Sequence, residues 1–246
     1  MSEETIQSTD TVNMYKGQKS MLILVIAKSG RGKSRAMKHL DPSKTFLINV
    51  MGKQLPFPKG IQYVEGKNMI VQANSQTIQR AMQEVSRGTT FDTIVIDDAQ
   101  YIMATEFMNN AQVKGYDKFT MMAKNFWDIM ALAGKLRSGL KIFILSHEEE
   151  TATGERKMKT LGKLTDEKLT IEGLSSIVVY GDVIMNEQKR EYYFNTQSDG
   201  YTNAKTPEDM FPQRIPNDLK LMSDRIDEYY QGIELKDSKL NFELGV

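Results

Sequence analysis

A chain of 246 residues with 40% hydrophobic and 26% charged side chains has ordinary globular composition and length enough to bury one large core. Its 32 basic and 32 acidic side chains cancel, so no global field draws it onto a polyanion, and any nucleic-acid contact must come from a local patch. The absence of cysteine excludes disulfides, zinc–thiolate sites and thiol catalysis together.

Residues 1–18 are polar, lack periodicity and read as a loosely docked arm. The start, Met1-Ser2-Glu3-Glu4, is acidic and unlike a secretory leader, and the longest apolar run, Met21 to Ala27, is too short to span a bilayer. The cytoplasm is the expected compartment, with no membrane partner. Met21 to Ala27 itself predicts a central strand buried on both faces. A second strand is predicted from Thr45 to Val50, and Met51 to Lys67 reads as loop because glycine and proline interrupt it five times, at Gly52, Pro56, Pro58, Gly60 and Gly66.

Asn74 or Ser75 is placed to cap a helix with Ile78, Ala81, Met82 and Val85 on one face, ended by Gly88. Phe91 to Asp97 predicts a buried strand. A long helix is predicted from Asp117 to Leu136, and another strand from Lys141 to Ser146. Residues 148–164 are polar and read as loop. Two strands, Ile177 to Met185 and Glu191 to Thr196, are joined by a turn, and a last helix runs from about Asn217 to Tyr230. Strands alternating with helices predict an α/β fold, a mainly parallel sheet covered on both faces, with a C-terminal β-hairpin and helix. The expected division is an arm over 1–18, a core over 19–200 and an extension over 201–246.

The first strand runs into Lys28-Ser29-Gly30-Arg31-Gly32-Lys33-Ser34, followed by a helix-compatible segment to Leu40. Strand, glycine-rich loop and helix in that order make a Walker A phosphate loop. Gly30 and Gly32 let successive N–H groups turn inward onto a polyphosphate, and a helix N-terminus adds its positive end. Ser29, Gly30, Arg31, Gly32, Lys33 and Ser34 are thus expected to bind ATP, with Lys33 on the β- and γ-phosphates and the Ser34 hydroxyl on Mg²⁺. Ala27 stands where the motif usually has its first glycine.

Phe91 to Asp98 is an apolar strand ending in two carboxylates, the Walker B pattern. Adjacent buried carboxylates are costly without a compensating cation, which points to a metal: Asp97 is expected to hold Mg²⁺ and Asp98 to orient or deprotonate the attacking water. Asp98 could instead cap the next helix. The strand from Lys141 ends in Ser146-His147-Glu148, which offers Ser146 and His147 to a phosphate. His39, late in the helix after the loop, reads as a dipole partner.

Together these segments resemble RecA-like P-loop ATPases encoded by bacteriophages, some of which act in recombination and single-strand annealing. The likeness rests on Ala27 to Ser34, Phe91 to Tyr101, Gly115 to Phe119, Ser146 to Glu148, Ala204 to Phe211 and Ile215 to Leu219, and spans roughly residues 20–230. It implies a strand inserted between the two motif strands, with His147 sensing the γ-phosphate. It also implies a homo-oligomer, ring or filament, working on single-stranded DNA in the cytoplasm of an infected bacterium.

Where RecA carries a water-activating acid after its second strand, this chain has Asn49 and Lys53, with no acid until Glu65, which moves the expected base to Asp98. Arg156, Lys157, Lys159 and Lys163 fall where such proteins contact DNA, although interleaved glutamates equally suit a solvated surface. No cation in the first 150 residues stands out as an activating finger, so Lys189 and above all Arg190, beside the hairpin turn, are expected to reach a neighbour's site. Two other classes remain: an ATP-dependent switch or assembly factor without DNA, which net neutrality favours, and a small-molecule kinase, which the tandem aspartates fit poorly and for which only residues 156–163 could form a lid.

Overall fold

Seven consecutive apolar positions in β1 (Met21–Ala27) require cover on both sides of the strand, and that requirement sets the architecture. In the computed structural model, which describes residues 19–161, 170–186 and 189–232, Leu22, Leu24 and Ile26 enter one core cluster and Ile23 and Val25 the other. This is the period-two division of a strand.

Around β1 stand β2 (Thr45–Asn49), β3 (Met69–Val71), β4 (Thr93–Asp97), β5 (Lys141–Glu150) and β7 (Ile177–Asn186), all parallel to their neighbours. The order is β3-β2-β4-β5-β1-β7, continued by antiparallel β8 (Lys189–Asn195) and β9 (Arg214–Pro216). As expected, β5 lies between the strand that feeds the phosphate loop and the strand that ends in the paired carboxylates.

One face is covered by α1 (Ser75–Arg87), α2 (Gln100–Asn109) and α3 (Asp117–Ala133), through side chains such as Ile78, Met82, Ile102, Met122, Phe126 and Ile129. α1 begins where the sequence places it, with the Asn74 side chain accepting from the Thr77 amide at 3.0 Å. The other face receives Ala36 and Met37 from a short 3₁₀ turn and Leu219, Met222 and Ile226 from α4 (Leu219–Tyr230). Thus β9 and α4, from the segment expected as an extension, pack on the same sheet. The expected arm over 1–18 lies outside the described residues.

Three local expectations change. The segment after the phosphate loop is a six-residue 3₁₀ helix, Ser34–His39, rather than an α-helix, and so short a helix carries little of the expected dipole. His39 pairs through Nδ1 with Asp218, the N-cap residue of α4. The polar stretch expected as loop extends β5 to Glu150 and returns as β6 (Arg156–Met158), with Glu149 opposite Lys157. Opposite charges across the ladder supply what the missing apolar alternation does not. Among the described residues, no helix is long and apolar enough to cross a membrane.

Candidate nucleotide site

At the end of β1 the chain leaves the sheet through Gly30 and Gly32, both in the left-handed region with φ of 76° and 84°, where a Cβ is strained. A Cβ on Gly32 would stand 2.8 Å from Tyr192 Cδ1 and 3.0 Å from Asn217 Oδ1. Gly30 has nothing within 4 Å of that position, leaving the loop open toward the cleft. The outside of the loop is held by charge. Arg31 pairs with Asp182 of β7, and Lys28 Nζ lies 3.0 Å from Glu150. Arg156 bridges Glu148 at 2.6 Å and Asp182 at 3.3 Å. The Arg31 side chain is therefore turned to the loop's support, which leaves only its backbone N–H to offer a phosphate.

Lys33 is buried, and its Nζ donates to the carbonyls of Ala27 at 2.8 Å and Lys28 at 3.0 Å. Burial lowers its pKa to about 8, against the opposing pull of Asp98 and Asp97. The next side chain, Ser34, donates its hydroxyl to Asp97 Oδ1 at 3.0 Å. Burial raises the Asp97 pKa to about 6, with the charge of Asp98 adding to it and the Ser34 bond opposing it. The described residues contain no cluster of three or more His, Cys, Asp or Glu able to hold a metal. A hydroxyl and a carboxylate side by side instead suit a hard cation that completes its shell with water and phosphate oxygens, as Mg²⁺ does.

Asp98 takes φ 63°, a left-handed conformation rare outside glycine. Its Oδ2 accepts from Lys53 Nζ at 2.7 Å, and its Oδ1 faces His147 Nε2 at 3.5 Å and Gln100 Nε2 at 3.4 Å. Burial pushes its pKa up, but the bonds from His147 and Lys53 outweigh burial and hold it below the usual carboxylate range. Ala99, not Asp98, precedes the first residue of α2, so the helix-capping alternative does not describe it.

His147 reaches this point because β5 runs in register with β1, Ala27 opposite His147. Its ring meets Tyr101 edge-on at 6.2 Å, and its amide donates to Gln100 Oε1 at 3.1 Å. Ser146 is fully buried, which leaves His147, at the last position paired with β1, as the polar group of β5 that lines the cleft.

These groups line one cleft of about 370 Å³. Ser29, Gly30, Gly32, Lys33, Ser34, Asp97, Asp98 and His147 all line it, together with Lys53, Gln54 and Tyr192, which the sequence did not single out for the site. The remaining expected cations lie elsewhere. Arg190 is exposed on β8 opposite Met185. Lys157 lies 3.2 Å from Glu149 and Arg156 is only partly exposed, and both stand on β6 rather than on the loop expected there. Lys159 lines a smaller cavity of about 160 Å³ with Gln100, Tyr101 and His147. Lys163 lies outside the described residues.

Residues 19–207 match the family described as AAA domain. No curated protein matches the sequence. Among solved structures, the chain is similar to the flagellar accessory protein FlaH from Methanocaldococcus jannaschii: 12% identity, TM-score 0.43, covering 86% of this chain and 91% of that one. It is also similar to a KaiC-like protein from Pyrococcus horikoshii: 12% identity, TM-score 0.42, covering 87% and 93%. With a mainly parallel sheet that brings the phosphate loop and the strand-end carboxylates into one cleft, the chain belongs to the AAA domain family and is a nucleotide-binding ATPase.

Proposed function

We propose that this ATPase works on Mg-ATP and couples hydrolysis to single-stranded DNA as a homo-oligomer in phage DNA metabolism. The observation that carries the Mg-ATP part is the 3.0 Å bond between Ser34 and Asp97 beside the buried Lys33. In this reading Lys33 neutralises the β- and γ-phosphates, Ser34 and Asp97 hold the metal, Asp98 takes the proton of the attacking water, and His147 donates to the γ-phosphate. Mg²⁺ supplies charge neutralisation on the phosphate oxygens when bound.

The DNA part rests on the resemblance to phage recombination ATPases and on the β5–β6 hairpin, which carries Arg156 and Lys157 on β6 and leads to Lys159, whose amide donates to His147 O at 2.8 Å. The ion pairs of Arg156 and Lys157 favour a second reading, a nucleotide-dependent switch or assembly factor that binds no DNA. ATPase rates measured alone and with single-stranded DNA, duplex DNA or RNA decide between them. Stimulation of about tenfold or more by single strands is expected for a motor or annealing role, equivalent to about 1.4 kcal/mol of barrier. Equal rates in all four conditions would leave the switch reading in place.

Arg190 is assigned to a neighbour's site. It stands opposite Met185, four residues beyond the point where Gly181 packs on Ala27, about 13 Å farther along the strand. From there it does not line its own cleft. Arg190→Ala is expected to lower turnover by about 10²-fold or more, as loss of a transition-state cation does. Mixing it with Lys33→Ala subunits, which still carry Arg190, should restore activity. Absence of rescue, or a wild-type rate from Arg190→Ala alone, would remove Arg190 from the reaction.

A further inference from the structure

The sequence places no acid between the end of β2 and Glu65, and the structure shows what stands there instead. Asn49, the last residue of β2, lies opposite Asp97 in the sheet register. The chain then turns tightly: the Gly52 amide donates to Asn49 O at 3.3 Å, and Gly52 takes φ 64°. A Cβ on Gly52 would lie 2.9 Å from Val71 Cγ1, so this position both needs the left-handed conformation and has no room for a side chain. The Asn49 side chain closes the turn by donating to Lys53 O at 2.8 Å. The backbone of Lys53 is thereby fixed over the end of β4, while its side chain stays 57% exposed in the cleft.

The head group of Lys53 has two partners, Asp98 Oδ2 at 2.7 Å and the face of the Tyr101 ring at 5.0 Å. Tyr101 in turn packs on His147. Lys53, Asp98 and His147 thus line the same cleft as Lys33 and the Ser34–Asp97 pair, the cleft that would take the terminal phosphate of a nucleotide held by the loop. A dianionic phosphate offers an ammonium more negative charge than one carboxylate does. Lysine's flexible stem and rotatable donors allow the exchange without backbone movement.

We propose that Lys53 is a catalytic cation of this chain's own cleft, paired with Asp98 before ATP binds and transferred to the γ-phosphate when it does. The proposal rests on the reading of the cleft as the ATP-hydrolysing site. It gives the Lys53–Asp98 pair a purpose. While Lys53 donates to Oδ2, its ammonium competes with water for that oxygen. Once Lys53 moves, Oδ2 accepts the proton from water as the water oxygen bonds to the γ-phosphorus. The bond between that phosphorus and the bridging oxygen breaks, ADP leaves with the electron pair, and the proton passes from Asp98 to the released phosphate. The base is thus freed by the triphosphate itself, and ADP, lacking the γ-phosphate, leaves the pair closed.

The test compares ADP with β,γ-imido-ATP, each titrated calorimetrically with Mg²⁺ into wild type, Lys53→Met and Lys53→Arg, alongside single-turnover hydrolysis of ATP. Lys53→Met is expected to weaken the imido analogue by about tenfold, leave ADP within about twofold, and slow hydrolysis of bound ATP by about 10²-fold or more. Lys53→Arg should recover most of the preference for the triphosphate. Equal weakening of both nucleotides would reduce Lys53 to a structural support and overturn the proposal. Faster hydrolysis by Lys53→Met would overturn it too, since the pair with Asp98 would then be only an inhibitory clamp. Wild-type protein that binds neither nucleotide would sink the reading of the cleft itself, a different failure seen before any variant is made.

Discussion

Lys33→Ala is expected to fold, to melt no lower than wild type near pH 7, and to lose about 10²-fold or more in ATP affinity. The first two expectations follow from burial. A lysine held at about 8 in the fold and near its ordinary 10.5 when unfolded opposes folding while it is charged in both states. For wild type, that opposition eases as pH rises from 8 toward 10.5, because the folded chain sheds its proton first. Removing the ammonium removes the penalty, offset by the loss of its bonds to the carbonyls of Ala27 and Lys28. The affinity loss follows because those two carbonyls compensate the ammonium only until phosphate oxygens replace them. A stabilised protein that no longer binds nucleotide is the signature of a site kept at the expense of stability. Thermal melts and calorimetry on the same samples check both halves, and unchanged ATP binding would refute the assignment of the phosphate loop.

Asp97→Asn should separate metal from nucleotide. The folded pKa of about 6 lies above the unfolded value near 3.8, so the carboxyl's contribution to stability is fully present below about pH 4 and is lost as pH rises through 6. At pH 7 the ionised group is a cost unless a cation sits beside it. Asp97→Asn is therefore expected to be at least as stable as wild type without ligand, while Mg²⁺ no longer strengthens ATP binding. In wild type the gain from Mg²⁺ should shrink as pH falls below about 6, because the proton and the metal compete for the same oxygens. Nucleotide affinities with Mg²⁺ and with chelator, at pH 5.5 and 7.5, test this. A magnesium effect that persists in Asp97→Asn would place the metal on other residues.

What was legible in the sequence is what local chemistry dictates. The phosphate loop needs glycine at left-handed positions and a lysine and serine directly after them, and all of these are consecutive. The strand bearing Asp97 and Asp98 declares itself by an apolar run ending in acids. Buried strands and the cap of α1 were readable for the same reason, as was the place of β5 from the resemblance. What escaped depends on residues far apart in the chain. Lys53 reaches Asp98 across 45 positions by way of a turn whose geometry rests on Gly52 and Val71. Tyr192 lines the cleft and touches Gly32 because β8 folds back along β7. The β5–β6 hairpin was hidden by its composition, since Glu148, Glu149, Arg156 and Lys157 read as solvated loop until their pairing is seen. The partner of the Arg31 side chain was likewise out of reach, since Asp182 lies 151 positions later.

The central claim, that this cleft hydrolyses ATP with Asp98 acting on the water, is tested most directly by single-turnover hydrolysis in Asp98→Asn. The substitution is nearly isosteric, and asparagine tolerates the left-handed backbone that Asp98 adopts at φ 63°, so the fold of the turn is kept. With ATP bound to the same occupancy in both proteins, Asp98→Asn is expected to release phosphate about 10²-fold or more slowly than wild type, within the range a general base contributes. Phosphate release at the wild-type rate would contradict the account and take the base away from Asp98.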